Sequence, residues 1–265
     1  MMDILWSTFL NGTNAAIPFY LALGMIFLAP IVYLRLVYVQ NAPYGRYDVP
    51  STFKINVKLA WFVQELPAFL IPVLLYMFTN SPKADQPINL ILLGMFMLHY
   101  AQRTFVYPFL IRGGKPSAAY VVVAAFAFCV INGYMQGFYL LKVGNYPSDW
   151  LNSPKFMLGS TLFLFGFVMN LHSDHILRNL RKPGETGYKI PQGGLFEYFT
   201  CGNLWSEFIE WVGFALATSS PTGLAFAAFT FANLIPRSIA HRKWYIERFK
   251  GKYPKDRFIL IPNVW

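Results

Sequence analysis

Charge is what this chain has least of. Only 13% of its 265 residues are Asp, Glu, Lys or Arg, against roughly 25% in an average soluble domain, and that shortage excludes an ordinary water-soluble enzyme. Cysteine is nearly absent: Cys129 lies in an apolar stretch and Cys201 in a polar one. Two residues so placed argue against a disulfide framework or a thiol-bound metal. No GxGxxG opens a helix after a strand and no GxxxxGK[ST] occurs, which excludes a Rossmann or P-loop nucleotide domain. HExxH is missing as well, and His172 and His175, three apart around Asp174, lack any further ligand motif, so no metal is expected. The first basic residue is Arg35, near the end of the first apolar run. That pattern does not fit a cleavable signal peptide, and the first run is expected to stay. No repeat, low-complexity tract or soluble domain interrupts the chain, so 1–265 reads as a single domain in which 237–265 is a basic tail.

What is present is apolar and aromatic. Hydrophobic residues make up 55% of the chain and aromatic ones 18%. Runs long enough to cross a bilayer, at about 20 residues each, fall near 16–38, 57–78, 88–110, 119–141, 156–177, 204–219 and 221–236. The expectation is an all-α, polytopic membrane protein of seven helices, with a very short turn at Ser219, Ser220 and Pro221 between the last two.

The net charge of +10 is distributed on one side. Arg46 and Lys54 follow the first run, Arg112 and Lys115 the third, and Arg178, Arg181, Lys182 and Lys189 the fifth, while eight more basic residues lie between Arg237 and Arg257. Alternate loops hold only Lys83, Lys142 and Lys155. The positive-inside rule then places the N-terminus outside and the tail in the cytosol. Topology accounts for the charge, so membrane lipid and not nucleic acid is the expected macromolecular surroundings.

Polar residues inside the runs carry the functional signal. A carboxylate in hydrocarbon costs on the order of 3 kcal/mol by insertion scales, so such groups face a protein interior and mark a site. Glu65 is one, seven residues beyond Lys58 and thus about 10 Å into the membrane at 1.5 Å per residue. Gln64, Tyr100 and Arg103 can share its layer, and Trp61 lies one turn away. Asn170, Asp174, Arg178 and Arg181 form one helical stripe, Asn203, Glu207 and Glu210 a second, and Arg237, His241 and Tyr245 a third. All three lie toward the cytosolic side. They outline a polar cavity that a charged cosubstrate could enter from the cytosol while an apolar one arrives from lipid. Read from the residues alone, Glu65 could instead neutralise an arginine, and Arg178, Arg181 and Lys182 could be interfacial anchors.

Several spaced motifs resemble the steroid 5α-reductase family. They are WFVQELP at 61–67, HYAQRTFVYP at 99–108, HSDHILRNLRKPGETGYKIPQGGLFEYFTCGN at 172–203, EFIEWVGFALAT at 207–218, RSIAHRKWY at 237–245 and YPKDR at 253–257. The resemblance implies a seven-helix membrane enzyme, of the endoplasmic reticulum or a bacterial inner membrane, that reduces the C4–C5 double bond of a 3-oxo-Δ4-steroid with NADPH. It assigns Glu65 and Tyr100 to the substrate's C3 carbonyl, and Gln64, Trp61, Arg103 and Phe229 to the steroid. Tyr44, Asn170, Asp174, Arg178, Arg181, Tyr188, Asn203, Glu207, Arg237, His241 and Tyr245 are implied to hold or frame NADPH, with Arg112 and Lys115 near its phosphates. The chain departs from the family pattern at Ile111, at the RGGK of 112–115, at Asn233 and around His241. Other expectations from the same cavity are a reductase of another lipid enone or enoyl thioester, a membrane methyltransferase with a related helical end, or a non-enzymatic transporter or lipid-binding protein.

Overall fold

A computed structural model describes residues 16–182 and 184–259. Seven long helices run through them: α1 (Ala16–Tyr38), α2 (Val57–Phe78), α3 (Pro87–Phe105), α4 (Ala119–Phe138), α5 (Pro154–Asn179), α6 (Gly202–Thr218) and α7 (Pro221–Phe249). Five of them, α1, α2, α4, α5 and α7, are long and apolar enough to cross a membrane. The other two are the ones loaded with polar side chains. α3 carries Asn89, His99, Gln102 and Arg103, and α6 is 17 residues long and carries Glu207 and Glu210.

Helix starts follow from local chemistry. Asn56 Oδ1 accepts from Lys58 N at 2.9 Å to cap α2, Ser153 Oγ accepts from Phe156 N at 3.2 Å to cap α5, and Ser220 Oγ accepts from Gly223 N at 2.9 Å to cap α7. Proline follows directly at Pro154 and Pro221, where its missing N–H is not needed. The turn between α6 and α7 is only Ser219 and Ser220, closed by Ser219 in the left-handed region at φ 42°. α4 ends in a π-helical turn, Tyr139–Val143, and Asn89 Nδ2 donates to its freed carbonyls at Leu140 (2.6 Å) and Gly144 (3.0 Å).

α5 and α6 pack closest. A Cβ built on Gly159 would lie 2.3 Å from Ala217 N, and one on Gly166 2.4 Å from Glu210 N, so only glycine allows this approach, as is common between membrane helices. Around the pair sits an aromatic core centred on Trp211, which meets Phe226 at 4.3 Å, His99 at 4.4 Å and Phe214 at 5.8 Å between ring centres.

The basic tail begins as helix and then folds back on the chain. α7 continues past Pro236 to Phe249. Beyond it, Tyr253 Oη donates to Thr200 Oγ1 at 2.9 Å, Arg257 Nη1 donates to the Pro191 carbonyl at 2.8 Å, and Phe258 exchanges backbone hydrogen bonds with Tyr198 and Thr200. Arg257 is buried there, so at least this basic residue is a structural clasp and not a surface charge. The first 15 residues, and with them the expected external N-terminus, lie outside the described ones.

Candidate active site

The glycine stripe that lets α5 touch α6 continues toward the helix end as Asn170 and Asp174, seven-, four- and four-residue steps on from Gly159 through Gly166. The close approach therefore brings these side chains against α6. Asn170 Nδ2 donates to the Asn203 carbonyl at 2.8 Å. Asp174 Oδ2 and Glu207 Oε2 both accept from Arg103 of α3, at 3.0 Å from Nη1 and 2.8 Å from Nη2. The guanidinium lies 4.7 Å from the Tyr107 ring centre and 5.6 Å from that of Trp61. Arg103, expected with the steroid residues, is thus tied to two carboxylates expected with the cofactor. It links the two halves of the site.

The second group gathers on α4. Gln64 Nε2 donates to Glu65 Oε1 at 3.2 Å, and Glu65 Oε2 lies 3.8 Å from Cys129 Sγ. Asn132 Nδ2 is 3.2 Å from the Tyr100 hydroxyl, and Gln136 Nε2 is 3.2 Å from Asn132 Oδ1 and 2.9 Å from the Thr222 carbonyl of α7. Cys129, Asn132 and Gln136 are three and four apart, one face of α4. Glu65 of α2 and Tyr100 of α3 consequently meet neighbouring turns of one helix, in the layer anticipated from their depths. Beside them His99 Nδ1 and Glu210 Oε1 are 2.7 Å apart and fully enclosed.

The third group is at the C-terminal part of α7. Its Arg237 guanidinium covers the Tyr44 ring at 3.5 Å, His241 stacks on Tyr47 at 5.3 Å with Nδ1 3.0 Å from its hydroxyl, and Tyr245 receives a hydrogen bond from Arg46 Nη2 at 3.2 Å. Burial lifts the Tyr47 phenol to about 12, so it stays protonated and can donate to Nδ1. Arg46 also lies over Trp244 at 4.3 Å and Tyr188 at 5.2 Å. Tyr44, Tyr188, Arg237, His241 and Tyr245, far apart in sequence, therefore form one cluster. It borders a recess lined by Leu36, Asn41, Tyr47, Pro236, Arg237 and Ala240. Arg237 pairs with no carboxylate among the described residues, and Arg46 Nη1 is buried without a partner. A cation that lines the recess without a carboxylate partner, and a second with a spare donor in the same cluster, suit a phosphate-bearing ligand.

Other expected residues stand apart. α5 ends at Asn179, so Arg181 leaves the stripe and donates to the Gly187 carbonyl at 3.2 Å. Arg178 Nη2 lies 3.3 Å from His175 Nδ1, Arg112 Nη1 donates to Asn179 Oδ1 at 2.7 Å, and Lys115 is exposed. Phe229 stacks on Phe128 at 5.1 Å in a small core with Ala22, Met25, Met135 and Ala225. Burial raises the Cys201 thiol to about 12, which makes it inert, and no group of three or more metal-ligating side chains occurs among the described residues. Sequence reasoning passed over Arg46, Tyr47, His99, Asn132 and Gln136. The two amides could have been found from their four-residue spacing in an otherwise apolar helix.

A family model of 3-oxo-5-alpha-steroid 4-dehydrogenase matches residues 115–265. The chain is 52% identical over 234 residues to a bovine protein named 3-oxo-5-alpha-steroid 4-dehydrogenase 1, covering 87% of this chain and 90% of that one. It is 48% identical to the human protein of that name, covering 85% and 87%, and 42% identical to human 3-oxo-5-alpha-steroid 4-dehydrogenase 2, covering 91% and 95%. With the match extending over most of both partners, the chain belongs to the 3-oxo-5-alpha-steroid 4-dehydrogenase family of oxidoreductases that act on CH–CH groups.

Proposed function

We propose that this protein reduces the C4–C5 double bond of 3-oxo-Δ4-steroids to 5α-dihydro products with NADPH. The observation that carries the reading is the meeting of Glu65 and Tyr100 on one face of α4, inside a chain whose relatives are named for a 3-oxo-5-alpha-steroid, the product of that reduction. Reduction of an enone at its β carbon moves negative charge onto the carbonyl oxygen, so donors aimed at that oxygen lower the barrier. Tyr100 donates directly and Glu65 in its protonated form, Gln64 fixes Glu65, and Trp61 and Arg103 shape the steroid's place, with Phe229 acting through the core in which it stacks on Phe128. Enclosure by the aromatic core keeps bulk water out, which strengthens these bonds.

The residues present fit NADPH. Its phosphates match the spare donors of Arg237 and Arg46, with Arg112, Lys115, Arg178 and Arg181 at the same end, and its rings match Tyr44, Tyr188, His241 and Tyr245. Asn170, Asp174, Asn203 and Glu207 supply the polar wall toward the steroid. When bound, NADPH supplies the hydride. The same reading gives seven membrane spans, an outward N-terminus and a cytosolic basic end, supported by the one-sided charge, in the endoplasmic reticulum, as fits a chain with mammalian relatives.

The test is direct. Purified protein in detergent or nanodiscs is incubated with NADPH and a panel of 3-oxo-Δ4-steroids, and enone absorbance and the C5 configuration of the product are read. A 5α product formed with equal NADPH consumption supports the proposal. Steroid bound with its enone unchanged would point to a binding or transport protein instead.

A further inference from the structure

We infer that Asn132 and Gln136 are positioning residues that fix the direction of the Tyr100 hydroxyl proton, with the Thr222 carbonyl as the reference; this rests on the proposed role of Tyr100. The direction follows from donor and acceptor chemistry, starting at the far end. One side-chain atom of Gln136 lies 2.9 Å from the Thr222 carbonyl and 3.2 Å from Asn132. A carbonyl can only accept, so that atom is the amide nitrogen. Its second hydrogen must then go to an acceptor, which makes the facing atom of Asn132 its oxygen. The other end of Asn132 is consequently the nitrogen, 3.2 Å from the Tyr100 oxygen. An amide nitrogen only donates. The Tyr100 oxygen therefore accepts, and its own proton is turned away from α4.

Bulk water does not reach this order, because Asn132, Gln136 and Thr222 have no exposed surface and Tyr100 has 3%. Both Gln136 amide hydrogens are committed in this order, and its Oε1 is buried without a hydrogen-bond partner. A phenol that donated to Asn132 would turn its lone pairs toward the substrate oxygen and repel it. One that accepts from Asn132 has its proton free for that oxygen, and the accepted bond polarises it into a stronger donor. Three helices, α3, α4 and α7, thus set a single proton.

The experiment is a double-mutant cycle on the full-length protein, reading kcat and steroid KM for the parent, Gln136→Met, Tyr100→Phe and the double variant. Gln136→Met keeps the chain length and removes both donors, so Asn132 can reverse. It is expected to lower kcat about tenfold, less than the hundredfold or more of a lost oxyanion donor, with steroid KM and NADPH binding unchanged. In the Tyr100→Phe background it should cost nothing further, because the group it orients is gone. An equal loss in both backgrounds, or no loss in the parent, overturns the inference. Asn132→Leu, taken through the same cycle, gives the answer if Gln136→Met does not fold. Full turnover by Tyr100→Phe alone would instead overturn the parent reading, and the two failures are separated by that arm.

Discussion

Removing Arg103 should destabilise the protein through the two carboxylates it leaves behind. Its side chain is 8% exposed, and its partners Asp174 and Glu207 are 7% and 18% exposed, so none of the three is well solvated by water. Breaking a buried ion pair from one side costs about 3–5 kcal/mol, because the stranded charge has no compensation. At 1.4 kcal/mol per decade, that is roughly two to three and a half decades in the folding equilibrium. For a protein of this size, each kcal/mol corresponds to about 2–4 °C, so Arg103→Met should unfold roughly 6–20 °C below the parent. Arg103→Lys retains the charge but cannot reach both carboxylates with a planar fork, and should lose about 1–3 kcal/mol. The double variant Arg103→Met with Asp174→Asn strands one carboxylate fewer and should recover part of the loss. Scanning fluorimetry of detergent-solubilised protein measures all of these. Unfolding of Arg103→Met at the parent temperature, or a double variant that simply sums two losses, would show that the three groups do not form a coupled buried triad.

The cluster around Arg237 makes a different demand: Arg237→Ala should weaken NADPH affinity more than steroid affinity, and the parent's affinity should fall between low and moderate salt as phosphate contacts are screened. Titration of each ligand at two ionic strengths checks this. Gly166→Ala would place a methyl 2.4 Å from Glu210 N, and such overpacking costs about 1–3 kcal/mol or more. Gly94→Ala, where nothing lies within 4 Å, should be neutral or slightly stabilising, as thermal unfolding of the pair will tell. For topology, Lys155→Cys and Lys255→Cys, both exposed positions, should label from opposite sides of sealed vesicles; labelling from one side would refute the proposed span count.

Helix placement was legible because burial in lipid leaves a long apolar run and because serine, asparagine and proline mark the starts. The runs near 57–78 and 221–236 begin where α2 and α7 begin. The last run underestimates its helix, since α7 turns polar at Arg237 when it leaves the apolar layer and yet keeps its hydrogen bonds to Phe249. Site residues with a formal charge in an apolar stretch stood out by their desolvation cost, as Glu65 and Arg103 did. What the chain did not disclose was pairing. Nothing in the spacing of Arg103, Asp174 and Glu207 shows that one guanidinium bridges both acids. That depends on the glycine contact of α5 with α6, visible only once Gly166 meets Glu210. Neutral amides such as Asn132 and Gln136 carry no charge to betray them. The loop residues Arg46 and Tyr47 were hidden for another reason: their role comes from contact with α7, about 200 positions away.

The central claim is that Glu65 and Tyr100 polarise the carbonyl of a 3-oxo-Δ4-steroid, and single-turnover reduction of such a steroid by NADPH-loaded protein tests it most directly. Parent protein should convert the enone to the 5α product. Glu65→Leu and Tyr100→Phe should each slow that step by about a hundredfold to a thousandfold, the loss of one oxyanion donor, with NADPH affinity unchanged. Conversion at the parent rate by both variants would contradict the claim.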